Sequence, residues 1–238
     1  MNWAQNRLKE LNFSKGGGDM TEKKNFRNFQ LLCMAFVAFF IAPVVIADTM
    51  LIHSLPFPTS ISETATIYQR TDSLLPYSLG ALSLFALSYA LVYSHTFIWD
   101  KVFPLGMAIG FTMVAFQPCV SPYLIQDHIG VFGLSHFWSN VIHYAGALVG
   151  FGSFIGWITI CFMRSDKAKS EQTPEKKIRN NIYTTLGILM ISCLSLFPLY
   201  LIGWLDDSFA IVMWIEIGML SFGSIACAVK SGLMFKDT

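Results

Sequence analysis

Apolar residues are grouped along the chain into six long runs that are separated by short polar connections. Each run approaches the length of roughly 20 residues that a helix needs to cross the hydrocarbon core of a membrane. The third run is the shortest. The pattern predicts an all-α integral membrane bundle of six transmembrane helices, at residues 29–47, 74–93, 103–119, 137–163, 182–204 and 209–229.

Composition agrees with this pattern and excludes a soluble globular enzyme. Hydrophobic residues make up 54% of the chain and charged residues 13%, whereas a soluble domain averages about 25% charged residues. The formal net charge is +1, so the chain has no general polycationic character for binding nucleic acid. The five cysteines lack the spacing of a zinc site or a disulfide framework. We expect the lipid bilayer as a partner, no nucleic acid and no cofactor.

Basic residues predict the orientation, because lysine and arginine accumulate in the cytoplasmic connections of membrane proteins. The connections on the opposite side, at residues 48–73, 120–136 and 205–208, contain Arg70 as their basic residue. We predict a multi-pass protein of the bacterial inner membrane with both termini in the cytoplasm. The basic residues on that side are Lys23, Lys24, Arg27, Lys101, Arg164, Lys167, Lys169, Lys176, Lys177, Arg179, Lys230 and Lys236.

The chain divides into a polar cytoplasmic leader at residues 1–27, a six-helix membrane domain at 28–232 and a short cytoplasmic tail at 233–238. Two expectations stand for the start of the leader. The glycine-rich run at residues 15–19 directly precedes Met20, so translation could start at Met20 and leave residues 1–19 untranslated. Alternatively, these residues form a short disordered leader.

Two ionisable side chains fall inside the predicted spans, His143 in the fourth and Glu216 in the sixth. An ionisable group costs roughly 2.5 to 3.5 kcal/mol at the centre of a membrane helix, so such a residue faces the bundle interior and is a functional candidate. Both lie roughly 11 to 12 Å below the outer boundary, at about 1.5 Å per residue. Because their depths match, we predict that they form an intramembrane polar pair.

Polar and small residues accompany this pair. His136, Ser139 and Asn140 stand close to His143 on the fourth span and are supporting candidates. Small residues allow helices to approach closely, so we expect the glycines near the pair to lie at helix contacts. These glycines are Gly146, Gly150, Gly152 and Gly156 on the fourth span and Gly223 on the sixth.

The pair has two competing interpretations. In one, His143 and Glu216 form a structural lock that satisfies two polar groups in an apolar interior. In the other, they transfer protons or take part in catalysis, because histidine titrates near neutral pH. A third arrangement leaves them without contact. A metal site is not expected, because His136 and His143 are two helical turns apart, roughly 10 Å, too far to bind one ion at ligand distances near 2 Å.

Several short motifs resemble a bacterial family of multi-pass membrane proteins, the domain-of-unknown-function family nine-nine-eight. The shared features are Ser60-Ile61-Ser62-Glu63 in an outer connection, a proline after the third span and His143 with Ala147 at the start of the fourth. This sequence has Gln117 where that family has phenylalanine. The later stretches 179–183, 222–223 and 230–232, with Glu216, resemble a subgroup of similar six-span proteins. The resemblance implies this fold and a polar cluster of Ser62, Glu63 and His143, but no activity.

Three function classes remain open. We expect a sensor, transporter or accessory protein that uses a polar intramembrane site near the outer leaflet, with a small molecule, a lipid or a membrane protein as its partner. The first alternative is an intramembrane hydrolase or lipid-modifying enzyme that uses His143 and Glu216 with Ser139, Ser62 or Glu63. The second alternative is a structural or assembly protein, which predicts that close packing leaves no cavity.

The predicted orientation can be tested with reporter fusions. A phosphatase fused after Glu175 should be inactive, because the connection that contains Lys176 is expected in the cytoplasm. The same phosphatase fused after Asp127, in an outer connection, should be active. Phosphatase activity of intact cells gives the measurement, and an active fusion after Glu175 would overturn the orientation.

Overall fold

The computed structural model of the chain describes residues 3–52, 57–58, 60–62, 64, 74–92, 97–119, 128–165, 172–205 and 210–234. Over these residues six α-helices follow the six apolar runs in order. They are α1 (Trp3–Ala47), α2 (Leu74–Val92), α3 (Trp99–Phe116), α4 (His136–Gly156), α5 (Pro174–Leu201) and α6 (Ile211–Lys230). π-helical turns extend α1 over Asp48–Ile52 and α4 over Trp157–Phe162, and the two-residue strands β1 (His128–Ile129) and β2 (Leu134–Ser135) pair antiparallel before α4.

The expectation of an all-α protein with several helices able to cross a membrane is confirmed. Within the described residues, five helical stretches are long and apolar enough, at Glu22–Leu51, Leu74–Val92, His136–Phe162, Pro174–Leu201 and Ile211–Lys230. Helix α3 is not among them; it has 18 residues, and Asp100 and Lys101 stand near its start. The sixth span and the orientation of the termini therefore stay predictions.

Helix α1 begins earlier than the first predicted span. Its backbone is helical from Trp3, where we expected a disordered leader if these residues are translated. The leader contains the strong helix formers Arg7, Leu8, Lys9 and Glu10, whose intrinsic propensity favours a helix. The part of α1 that is apolar enough to span a membrane starts at Glu22.

The helices form an uneven ring. Contacts join α4 to α3, α3 to α2, α2 to α1, α1 to α6 and α6 to α5, whereas α4 has few contacts with α5 and α6. We call one end of this bundle the site end; α1 and α3 finish there, and α4 and α6 begin there. The opposite end, which holds Arg27, Arg164, Lys176 and Lys230, is the basic end.

An aromatic cluster joins three helices at the basic end. Trp157 and Phe162, in the π-helical turn after α4, contact Tyr89 of α2 and Tyr183 of α5, with ring centroids 4.8 Å and 5.5 Å apart. All four rings are at most 3% exposed, and their edge-to-face geometry is favourable for aromatic pairs. This turn contacts α5 more than the longer helix α4 does. The gap between α4 and α5 therefore widens towards the site end.

Glycines bring α3 and α4 into backbone contact, as the glycine face of the fourth span predicts. A Cβ atom at Gly110 of α3 would lie 2.5 Å from the carbonyl oxygen of Gly146 and 2.6 Å from the Cα of Gly150. A Cβ atom at Gly146 would lie 2.7 Å from the Cβ of Met113, and one at Gly150 would lie 3.0 Å from the ring of Phe111. There is no room for a larger residue at these positions, so the backbones of α3 and α4 can lie this close only because the three residues are glycines.

The other predicted contact glycines differ among themselves. The ring of Phe103 covers Gly156, and the ring of Phe154 covers Gly223. Gly152 is different, because a Cβ atom there would meet no heavy atom of the described residues within 4 Å. The expectation of a close contact at Gly152 is wrong, because this residue lies off the face of α4 that meets α3. Gly152 and Gly156 are four residues apart, like Gly146 and Gly150, so this spacing alone does not identify a contact.

The α3–α4 seam can be tested by the same substitution at two glycines. Gly110→Ala should destabilise the protein by about 1 to 3 kcal/mol, the usual range for overpacking, because the added methyl group meets backbone atoms. Gly152→Ala should be neutral or slightly stabilising, because alanine favours a helix over glycine. Thermal unfolding in detergent measures both, and equal tolerance of the two changes would contradict the close seam.

Candidate functional site

The site begins where α3 ends, at Gln117 and Pro118. A residue before proline disfavours the helical conformation, and Gln117 has φ −127° and ψ 92°. The end of a helix leaves carbonyl groups without a partner inside that helix, and such groups need hydrogen bonds in an apolar bundle. Ser139 and His143, one turn apart on α4, supply them: Ser139 Oγ donates to the Pro118 carbonyl at 2.7 Å, and His143 Nδ1 donates to the Gln117 carbonyl at 2.9 Å.

These bonds orient the His143 ring. The Gln117 side chain adds a further bond from its Nε2 to Ser139 Oγ at 2.7 Å, and Gln117, Ser139 and His143 are at most 3% exposed. Because a carbonyl oxygen only accepts, the proton of the ring lies on Nδ1. In the neutral ring Nε2 is then an acceptor. His143 thus binds α3 through Nδ1, and Nε2 is the nitrogen that can accept a hydrogen bond.

Glu216 of α6 binds residues 61 and 62 of the connection between α1 and α2. The backbone N–H of Ile61 donates to Glu216 Oε2 at 2.5 Å, and the hydroxyl of Ser62 donates to Oε1 at 2.9 Å. Ile61 and Ser62 are 3% and 6% exposed. Thr64 Oγ1 donates to the Ile61 carbonyl at 2.6 Å and so fixes the turn. Both carboxyl oxygens of Glu216 therefore accept hydrogen bonds from this connection.

His143 and Glu216 line one cavity of about 500 Å³ between α4, α5 and α6. Its polar end also includes Ser60 and Ser62, and most of its wall is apolar, with Phe151, Leu194, Phe197, Ile215 and Met219 among the lining residues. Leu148 of α4 and Leu201 of α5 also line it and are 61% and 53% exposed. The cavity therefore reaches the side of the bundle where α4 and α5 separate.

A second, small cavity of about 30 Å³ is also lined by Ser62, His143 and Glu216. This space exceeds the roughly 10 to 15 Å³ that one water molecule needs, and three polar side chains border it. His143 lies seven residues into α4 and Glu216 five residues into α6, about 10 Å and 8 Å along the helix axes from the first residue of each helix. Both residues border this small space, and their matching depth below the membrane boundary stays a prediction.

No hydrogen bond joins His143 directly to Glu216 among the described residues. His143 is bonded to the Gln117 carbonyl, and Glu216 accepts hydrogen bonds from Ile61 and Ser62. Both residues line the same two cavities. A joint function of the two residues stays a prediction.

The supporting candidates lie in different places. Ser62 lies in the cavity beside Glu216, and Ser139 is buried at the α3 contact. His136 and Asn140 are partly buried on α4 and do not line either cavity. Glu63, the third member of the polar cluster that the resemblance implies, lies outside the described residues.

Sequence reasoning missed the role of Gln117, which was noted only as the residue that replaces the phenylalanine of a family motif. The Gln117-Pro118 pair at the end of an apolar run indicates a helix end with carbonyl groups in need of donors, and that signal points to the partners of Ser139 and His143. It also missed Cys119, whose thiol donates to Ser62 Oγ at 3.4 Å. Tyr144 was missed as well; it lines the cavity, with its ring 5.4 Å from that of Phe197.

The site has no group of three or more His, Cys, Asp or Glu side chains that could hold a metal ion, as far as the described residues extend. In comparisons with family models, curated proteins and solved structures, no match to the chain was found. The polar side chains of the site are Ser60, Ser62, His143 and Glu216, at the end of an apolar cavity.

A double-mutant cycle tests the contact between Glu216 and Ser62. Ser62→Ala and Glu216→Ala should show a coupling of at least about 0.5 kcal/mol in stability, because each variant removes one side of the same hydrogen bond. Ser139→Ala combined with Glu216→Ala is the matched control and should be additive within about 0.3 to 0.5 kcal/mol. Equal coupling in the two cycles would contradict the bonding described here.

Proposed function

We propose that this chain is a six-span protein of the bacterial inner membrane that binds an amphipathic molecule in its cavity and acts as a sensor, transporter or accessory protein. In this proposal the chain belongs to the domain-of-unknown-function family nine-nine-eight, for which the support is the short motifs around Ser62 and His143. The described helices able to cross a membrane support the multi-pass placement.

The cavity carries the proposal. Ligand pockets in proteins have volumes of about 300 to 1,000 Å³, apolar walls and a few polar groups that orient the ligand. The cavity of about 500 Å³ has this composition, with Ser60, Ser62, His143 and Glu216 at its polar end. A structural protein was expected to have no such space, so the cavity favours a ligand over a role limited to packing.

The polar end favours a head group that donates hydrogen bonds. The carboxylate of Glu216 only accepts, and Nε2 of a neutral His143 also accepts. An amine or a hydroxyl group fits these acceptors, whereas an anionic head group would be repelled by the carboxylate. The apolar walls fit an alkyl chain, which could enter between Leu148 and Leu201, both exposed at the side of the bundle.

The positions of the charges support the proposed orientation. Arg27, Lys176 and Lys230 lie at the basic end, and the excess of basic residues at cytoplasmic boundaries is general in membrane proteins. With that end in the cytoplasm, the cavity lies in the outer half of the membrane. Both termini are then cytoplasmic.

The alternative of an intramembrane hydrolase has one observation in its favour, the orientation of His143 by the Gln117 carbonyl. Nucleophilic catalysis also needs a hydroxyl or thiol within hydrogen-bond reach of the base. Among the described residues, Ser62 donates to Glu216 and Ser139 donates to Pro118. Neither hydroxyl is bonded to His143, so binding without covalent chemistry fits the geometry better.

Photo-crosslinking tests the proposal with two probes that share one alkyl chain bearing a diazirine, a long-chain amine and a long-chain alcohol. We expect the wild-type protein to be labelled on the cavity faces of α4 and α5, around Tyr144 and Phe197. Ala147→Phe should abolish this labelling because Ala147 lines the cavity and the larger side chain would fill it. Mass spectrometry of peptides gives the labelled positions.

Val149→Phe is the matched control, since Val149 lies on α4, is 43% exposed and does not line the cavity. This variant should be labelled like the wild type. Equal labelling of Ala147→Phe and Val149→Phe in monodisperse protein would contradict binding in the cavity. Glu216→Gln should lower labelling by the amine more than labelling by the alcohol, because it removes the charge that attracts a cation.

A further inference from the structure

The hairpin of β1 and β2 and the start of α4 expose large apolar side chains at the site end. Val131 and Phe132, in the turn between the two strands, are 70% and 65% exposed. Phe137 and Trp138, in the first turn of α4, are 67% and 56% exposed. We call these four residues the apolar patch. Exposed apolar surface that is grouped in this way is typical of a site that binds a membrane or a protein partner.

The patch lies at the level where α3 ends and α4 begins. The N–H of Val131 donates to the carbonyl of Phe116, the last residue of α3, at 3.0 Å. Phe137 and Trp138 belong to the stretch His136–Phe162, which is long and apolar enough to cross a membrane. The patch therefore stands at the end of a membrane-crossing stretch, where aromatic side chains of membrane proteins meet the head groups.

The patch also continues the outward face of α4. Phe137, Val141 and Leu148 are separated by four and seven residues, which places them on one face of the helix. They are 67%, 40% and 61% exposed, and an exposed apolar face of a helix that crosses a membrane faces the lipid chains. Because the hairpin leads directly into α4, one lipid surface can cover both the helix face and the hairpin turn.

The backbone of the hairpin is compatible with contact to lipid, because bonds inside the protein satisfy several of its polar groups. Non-helical backbone is excluded from lipid where its N–H and C=O groups lack partners. The two strands pair with each other, and the N–H of Gly133 donates to the Gly130 carbonyl at 3.2 Å. These two glycines have φ values of 57° and 73°, which glycine adopts without strain. A shallow position among the head groups therefore costs few hydrogen bonds.

We propose that the apolar patch is a membrane anchor, with the side chains of Val131 and Phe132 inserted into the head-group layer of the bilayer at the site end. The partner is the surface of the bilayer and not one particular lipid. Each of the two side chains favours insertion by about tenfold, from the apolar area that it removes from water. The proposal does not depend on the ligand proposed for the cavity.

The anchor is joined to the residues that orient His143. Gly130 packs directly on the side chain of Gln117, so that a Cβ atom at Gly130 would overlap the carboxamide. Gln117 Nε2 donates to Ser139 Oγ, and the Gln117 carbonyl accepts from His143. The bilayer would thus help to hold the end of α3 in the position that orients His143.

A fluorescence measurement of depth on the full-length protein in phosphatidylcholine liposomes tests this proposal. Cys33→Ala and Cys193→Ala remove the native cysteines that are only partly buried, and the others are at most 7% exposed. An environment-sensitive label is attached to Phe132→Cys in this background, and the background without an added cysteine is the blank. Leu84→Cys is the lipid reference, because Leu84 of α2 is 67% exposed. Lys177→Cys is the water reference, because Lys177 is exposed near the start of α5.

We expect the label at residue 132 to be quenched by phosphatidylcholine that carries a nitroxide close to its head group. Quenching of this label by aqueous iodide should be about tenfold weaker than at residue 177. Iodide quenching equal to that at residue 177 would overturn the proposal, because the hairpin turn would then lie in water. Shielding from both quenchers would overturn it as well, because a protein surface, such as a second copy of the chain, would then cover the patch.

A charge in the hairpin turn gives a second measurement. With the label at residue 132, Val131→Asp should raise iodide quenching towards the value at residue 177, because a carboxylate favours water over apolar surroundings. Ser135→Asp is the matched control and should leave iodide quenching unchanged, since Ser135 is exposed at the N-cap of α4, where aspartate is favourable. Equal responses of the two variants would overturn the anchor. If labelled Phe132→Cys does not fold, the label is placed at Val131→Cys and the charge at Phe132→Asp.

Discussion

The hydrogen bonds that Glu216 accepts from Ile61 and Ser62 are the interaction on which the site end depends. A carboxylate among apolar helices needs donors, because leaving it unpaired costs several kcal/mol. The connection between α1 and α2 supplies them from 155 and 154 residues away in the sequence. As a consequence, residues 60–62 lie inside the bundle and not over its end. The same contact brings Ser60 and Ser62 to the cavity.

The second constraint is the close contact between α3 and α4. Gly110, Gly146 and Gly150 allow the two backbones to meet, and Ser139 and His143 satisfy the carbonyl groups where α3 ends. Close packing and hydrogen bonds therefore join the same face of α4 to α3. On its other side α4 has few contacts with α5, and the cavity lies between them.

The basic end has the opposite arrangement. The rings of Trp157, Phe162 and Tyr183 fill the space between α4 and α5, and the Phe162 carbonyl accepts from two lysines. The two ends differ in charge as well as in packing, since acceptors border the cavity and cations border the aromatic cluster. This division gives the bundle two polar regions of opposite character, separated by an apolar middle.

The sequence alone determined the helices and the buried position of His143. The run predicted at 74–93 is helical over Leu74–Val92, because apolar length suffices to identify a segment that can satisfy its own backbone in lipid. His143 was expected to face protein because an ionisable group in lipid is costly, and it is 3% exposed.

The partners of these residues were decided only by the tertiary structure. Gly150 and Gly152 both belong to GxxxG patterns, yet only Gly150 meets α3, because helix spacing identifies a face and not the neighbour that covers it. His143 is bonded to Gln117 and not to Glu216, since its partner depends on where α3 ends. Local patterns fix what a segment can bury, and the packing of distant segments selects which groups meet.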